Sequence, residues 1–134
     1  MAHTSTTNDV VTALRPEAAA VRAARRLLVR EGLDADLSHT VCLLTSEIVT
    51  NAIRHAGLRD SDRILLAARL APEMVRVEVR DPGPGFDPAV RHETSGFGLR
   101  MVDMLSSRWG VDRDDKGCRV WFEVDRRRRR FDRG

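Results

Sequence analysis

Lysine occurs once in this 134-residue chain, at Lys116, cysteine twice, at Cys42 and Cys118, and aromatic residues make up only 4%. No apolar run reaches the roughly 18 residues that a membrane span needs. Each shortage closes off a class. One cysteine sits in a helical pattern and the other in a strand pattern, without metal-like spacing, so two reduced, packed thiols and a cytoplasmic location are expected. The opening Met-Ala-His-Thr-Ser-Thr-Thr-Asn has neither a basic n-region nor an apolar h-region. No secretory signal is expected there, and residues 1–8 read as a loose polar arm. Because nearly every basic residue is arginine, arginine richness by itself carries little functional information.

What is present suffices for one packed domain. A chain of this length can bury roughly two-thirds of its unfolded surface, and 42% apolar content is ordinary for a globular protein. The formal net charge is +3, but Arg126 to Arg130 are consecutive arginines; taking those five away leaves −2, so the body at 9–125 is nearly neutral. The tail at 126–134 has two readings: attraction for nucleic acid or an acidic partner, or plain solvation. It has no aromatic interleaving and no recognition motif, so nucleic-acid binding is not expected except through Arg126–Arg130.

The spacing of apolar residues predicts eight elements. Asp9 to Leu14 is a short β-prone run. A helix starts at Pro16, whose fixed φ suits a first turn, carries Ala18, Val21, Ala24, Leu27 and Leu28, and closes at Gly32. A second helix runs from Asp34 or Asp36 to Gly57, with Leu37, Val41, Leu44, Ile48, Ala52 and Ala56 as its apolar positions. Ile64–Leu70 and Met74–Asp81 read as a hairpin, and Val75, Val77 and Val79 alternate with Arg76, Glu78 and Arg80. Asp81 to Ser95 reads as a loop, Phe97 to Ser106 as a third helix. Trp109–Asp112 and Arg119–Val124 are the last strands, joined through Asp114-Asp115-Lys116-Gly117. Hairpin-linked strands with grouped helices predict an α+β two-layer sandwich: a mixed, mostly antiparallel sheet covered on one face by about three helices.

Four segments carry chemistry. Glu47 and Asn51 lie 40° apart on the wheel of the second helix, bordering its apolar face. Such a pair is read either as a rim-exposed polar pair or as a ligand pair. In the second reading Asn51 offers a neutral oxygen to Mg²⁺ and Glu47 takes a proton from an attacking hydroxyl or water. His55, one turn on, is either solvated or at the phosphate region. Asp81 enters Pro82-Gly83-Pro84-Gly85, which is either an ordinary turn or a glycine floor beside a carboxylate that accepts an adenine amine. Gly96-Phe97-Gly98 leads into the third helix, whose first N–H groups form an anion site. It is neither a Walker loop nor a Rossmann fingerprint. Phe86 to Ser95 then reads as a lid over a triphosphate.

Taken together, Glu47-Ile-Val-Thr-Asn51-Ala52, Asp81-Pro-Gly83-Pro-Gly85, Ser95-Gly96-Phe97-Gly98-Leu99 and Gly117-Cys118-Arg119-Val120-Trp121-Phe122-Glu123 resemble, in this order, the motifs of the Bergerat-fold (GHKL) ATPases. Gyrase, Hsp-type chaperones, histidine kinases and MutL belong to that superfamily. The resemblance covers about residues 10 to 125 and is nearest to the anti-sigma-factor serine kinases of bacterial partner switching. It implies ATP and Mg²⁺ as cofactors, Glu47 as catalytic base, Asn51 as metal ligand and Asp81 as the adenine-binding carboxylate. It implies further that Gly83, Gly85, Gly96, Phe97, Gly98, Leu99 and Cys118 line the pocket and lid, with His55 near the phosphates. The implied partners are a sigma factor, an anti-anti-sigma protein of STAS type, and a second copy of the chain. Sensor histidine kinases of this fold usually carry Asn where this chain has Glu47, which favours the serine kinase. Two departures stand out: Cys118 replaces a frequent Thr, and Phe97 replaces a polar or basic residue. A non-catalytic ATP-binding regulator, whose nucleotide state gates partner binding, is the alternative.

Overall fold

The computed structural model describes residues 7–83 and 96–126, and within these the side chains of His55 and of residues 96–98 are not described. The proposed lid at Phe86–Ser95, Gly85, and the arginines after Arg126 lie outside the described residues. The elements run in chain order as β1 (Asn8–Leu14), α1 (Ala19–Arg30), α2 (Ala35–His55), β2 (Ile64–Leu70), β3 (Met74–Asp81), α3 (Gly96–Leu105), β4 (Arg108–Asp114) and β5 (Gly117–Asp125). The expected α+β sandwich is thus present, with each predicted element in place. The sheet order is β1-β2-β3-β5-β4, and all four pairings are antiparallel.

Local chemistry accounts for the boundaries. Helix α1 begins three residues after Pro16 rather than on it, and Ala18 is exposed instead of apolar-facing. Gly32, at φ 108, ends this helix: Leu33 N–H donates to Leu28 C=O across it at 3.0 Å, a left-handed cap that glycine adopts without strain. Asp34 precedes α2 without capping it, because its carboxylate accepts from the Arg126 guanidinium instead. Arg126 also donates from Nε to Ala71 C=O at 2.8 Å, so the first arginine of the basic run is anchored on the body.

Alternation in the strands sorts the sheet into two faces. Ile64, Leu66, Ala68 and Leu70 of β2, Val75, Val77 and Val79 of β3, and Val120, Phe122 and Val124 of β5 are buried under the helices. Helix α2 opposes them with Val41, Leu44, Ile48 and Val49, all essentially inaccessible, and it packs on α1, α3 and β3. The opposite face is ionic. Arg76 pairs with Glu123 at 2.9 Å and Arg108 with Glu123 at 2.7 Å, while Arg119 bonds Asp112 and lies 3.6 Å from Glu78. The Arg108 and Arg76 guanidinium groups hold the Glu123 carboxyl below its usual range. Arg76 also sits 4.3 Å from the ring centroid of Trp121, whose indole lies across Gly110 of β4.

Phe122 is the largest fully buried side chain of the core. Phe122→Ala is expected to lower the unfolding free energy by about 3–5 kcal/mol, read from the urea midpoint at constant m-value.

Candidate nucleotide site

The buried alternation of β3 continues past Val75, Val77 and Val79 onto Asp81, which places a carboxylate where a fourth apolar side chain would complete the series. Asp81 is 5% exposed and stands opposite Cys118, itself buried, in the β3–β5 register. Its Oδ1 accepts the Gly83 N–H at 2.9 Å. That is its only hydrogen bond among the described residues, leaving Oδ2 for another donor. Burial pushes the Asp81 carboxyl above its ordinary value of 3.8; the Gly83 N–H opposes the shift, and the nearby Asp62 carboxylate adds to it.

Two glycines bring three backbone segments together around this carboxylate. A Cβ on Gly83 would lie 2.0 Å from the Ala56 carbonyl oxygen, so the end of β3 rests directly on the end of α2. A Cβ on Gly117 would lie 2.0 Å from the Asp81 carbonyl oxygen, and its φ of 145 is one that L side chains rarely adopt. Glycine is required at both places. The Asp115-Lys116 turn delivers Gly117 to this spot, with Asp114 Oδ1 accepting the Lys116 N–H at 2.8 Å.

Asn51 lies on α2 five residues before Ala56 and is 7% exposed, between the buried Ile48 and Ala52. Its Nδ2 is buried and has no hydrogen-bond partner among the described residues. A buried donor left without an acceptor costs about 1–3 kcal/mol, and Thr45 Oγ1 and Ser106 Oγ are the other buried side-chain atoms without a partner among the described residues. Glu47, one turn earlier, is half-buried, at the border of the apolar face as its wheel position predicts. Asn51 and Asp81 therefore both project into the layer between helices and sheet, at the end where α2 and β3 touch. His55 is the last residue of α2, and Gly96, Phe97 and Gly98 open α3, which is held against α2 with Leu99 buried. Gly85 falls outside the described residues.

Some contributors to this corner were not singled out from sequence. Asp62, in the connection after α2, acts on Asp81 through space, and nothing local in its surroundings announces that. Ala56, whose carbonyl meets Gly83, read only as an apolar helix position. The role of Gly117 was legible as a turn glycine but not as a close approach to Asp81. A separate groove lined by Leu37, Met104, Leu105, Ser107 and Val124 lies at the start of α2 and the far end of β5, away from this corner.

The donor set fits a nucleotide with a hard cation. One acceptor carboxylate, one carboxamide with a free donor and oxygen, and glycine-lined backbone match a purine amine and phosphate oxygens. Among the described residues no three His, Cys, Asp or Glu are grouped to hold a metal. Such a site suits Mg²⁺, which keeps several waters and takes few protein oxygens beside phosphate. No described helix is long and apolar enough to cross a membrane.

Comparison with known proteins gives the family and agrees with the fold. The family described as Histidine kinase-like ATPase domain matches residues 11–124. Among solved structures, the RsbU and RsbW domains of a Mycobacterium tuberculosis protein superpose with a TM-score of 0.67 at 23% identity, covering 91% of this chain and 34% of that one. The histidine kinase domain of a blue-light activated histidine kinase from Erythrobacter litoralis gives 0.56 at 24% identity, covering 80% of this chain and 59% of that one. The same kinase in another structure gives 0.56 at 26%, covering 69% and 31%. The chain thus spans about a third of the first and under two-thirds of the others. A search of curated proteins finds no match.

The raised Asp81 carboxyl makes a pH-dependent prediction. The folded state holds its proton more tightly than the unfolded chain, so its contribution is complete below about pH 3.8 and is lost as pH rises through the folded value. Asp81→Asn keeps an acceptor for Gly83 and removes the ionisation. It is expected to be more stable than the parent at neutral pH, with the difference closing toward pH 3.8 in a urea series.

Proposed function

The chain belongs to the histidine kinase-like ATPase family, and on that premise we propose that it binds ATP with Mg²⁺ and phosphorylates a serine of an anti-anti-sigma protein of STAS type. In its other state it holds a sigma factor inactive. The observation that carries the reading is a buried carboxylate, Asp81, at the end of β3, which rests on the end of α2, together with a buried Asn51 amide on α2 that has no hydrogen-bond partner among the described residues. The RsbW domain in the first of the solved structures supports placing it in a partner-switching system.

In this reading Asp81 selects the base. A carboxylate accepts the exocyclic amine of adenine, whereas guanine presents a carbonyl there and is repelled. A hydrogen bond to a charged acceptor is worth about 1.5–3 kcal/mol. Gly83 and Gly117 let the backbone segments around Asp81 close on one another, and Cys118, buried opposite Asp81, stands in place of a hydroxyl. Asn51 would hold the Mg²⁺ through its oxygen, with its N–H free for a phosphate oxygen; the metal supplies charge neutralisation of the triphosphate when bound. The backbone N–H groups at the start of α3 are the further donors for phosphate. Glu47, half-buried at the cleft border, accepts the proton of the attacking serine hydroxyl.

Isothermal titration beside a phosphotransfer assay with candidate anti-anti-sigma proteins separates the roles. Asp81→Asn is expected to weaken ATP binding by about 10- to 100-fold, the loss of one charged hydrogen bond. Asn51→Ala is expected to remove the Mg²⁺ dependence of binding. Glu47→Ala should bind ATP as the parent does and transfer phosphate about 10²- to 10⁴-fold more slowly. Full transfer by the Glu47 variant would remove that residue from the mechanism. ATP binding by the parent without transfer to any partner would make the chain a nucleotide-gated regulator instead.

A further inference from the structure

The groove at the start of α2 and the far end of β5 has an apolar floor and an acidic lip. Its volume is about 860 Å³, within the roughly 300–1,000 Å³ of ligand pockets. Leu37 of α2, Val124 of β5 and the last turn of α3 supply the apolar lining, and Asp34, Asp36 and Asp125 supply carboxylates. Met104 is 73% exposed and Leu105 42%, so two adjacent large apolar side chains stand in the open there. Asp34 is taken by Arg126 and Asp125 by Arg108. Asp36 is exposed and has no ion pair among the described residues.

The chain itself leaves from the edge of this groove. Arg126, one of its lining residues, is fixed in place: its N–H donates to Glu73 C=O at 3.0 Å, its Nε to Ala71 C=O at 2.8 Å, and its guanidinium pairs with Asp34. Residues 127–134 follow, outside the described residues, with the sequence Arg-Arg-Arg-Arg-Phe-Asp-Arg-Gly. A run of cations and then an aromatic ring complement carboxylates beside an apolar floor. We propose that this C-terminal segment occupies the groove, with Phe131 against Leu37, Met104 and Leu105 and an arginine of 127–130 on Asp36. Phe131 is five residues beyond Arg126, a reach of up to about 17 Å. A tether this short holds the segment at an effective concentration on the order of millimolar, so even a weak contact fills the groove. Burial of the phenyl ring against exposed apolar side chains supplies the driving force, and the Met104 sulfur is a favourable neighbour for a ring. The docked tail covers the apolar end of α3 and withholds the arginine run from acidic partners. This docking stands whether or not the Asp81 corner binds a nucleotide.

Limited trypsin cleavage of the full chain, followed by mass spectrometry, reads the open population of the tail. Met104→Lys sets a cation where the arginines approach, and is expected to speed cleavage at Arg127–Arg130 by about tenfold, in proportion to that population. Asp36→Asn should speed it by about threefold, the loss of one exposed ion pair. Both residues are exposed, so circular dichroism and melting should match the parent. Cys42 and Cys118 are buried, which leaves oxidation to report on added thiols. Met104→Cys with Phe131→Cys is expected to close a disulfide within one chain. Val11→Cys with Phe131→Cys, on edge strand β1 and three strands away from β5, should not. Tail cleavage equally fast in the parent and both variants overturns the proposal. So does a disulfide that joins two chains, which would give the groove to the tail of a second copy, or one that forms as readily at position 11.

Discussion

The candidate site depends on one placement: a carboxylate held inside the helix–sheet layer by the alternation of a strand. Asp81 is buried because Val75, Val77 and Val79 are buried, and period-two geometry carries the same face onward. Its desolvation is the cost of that position, moderated by a single backbone N–H from Gly83. A buried carboxylate with one hydrogen bond and a buried amide donor with none, among the described residues, are groups that a folded protein normally satisfies internally.

The glycines make this corner possible. Gly83 and Gly117 occupy points where any side chain would strike a backbone carbonyl, so the ends of α2 and β3 and the start of β5 close to van der Waals distance. Substituting either would separate the elements that the polar groups bridge. The rest of the molecule acts as a frame: a core centred on Phe122, Leu44 and Ile48 fixes α2 against the sheet, and with it the height of Asn51 relative to Asp81.

The abundant arginines have a largely structural use on the described surface. Arg76, Arg108, Arg119 and Arg69 are matched by Glu123, Asp125, Asp112, Glu78 and Asp9 across the open face of the sheet. Exposed pairs of this kind add little stability each, but they leave that face without a single-sign field. The neutral, ionic face and the charged β4 edge contrast with β1, where charge is withheld from the strand interior. The distribution of charge, rather than its total, distinguishes surfaces here.

Element type and order were legible in the sequence because they rest on local periodicity: Val75-Arg-Val-Glu-Val announces a half-buried strand, and the Leu44, Ile48, Ala52 series a packed helix. Glu47 and Asn51 were legible as a pair for the same reason, since helical spacing alone sets their angle. The start of α1 was read three residues early, at Pro16, while that of α2 was read correctly without its side-chain contact. Asp34 does hold the N-cap position of α2, but its carboxylate goes to Arg126, a residue 92 positions away, and not to a helix N–H. What the sequence by itself determined was thus each residue's face: Asp81 inward, Asn51 at the buried border, Gly32 and Gly117 at turns. Only the tertiary structure decided that β5 inserts between β3 and β4, that Gly117 meets the Asp81 carbonyl, that Gly83 meets Ala56, and that Asp62 stands near Asp81. These are contacts between segments far apart in the chain, and they follow from how layers pack, which no local period encodes.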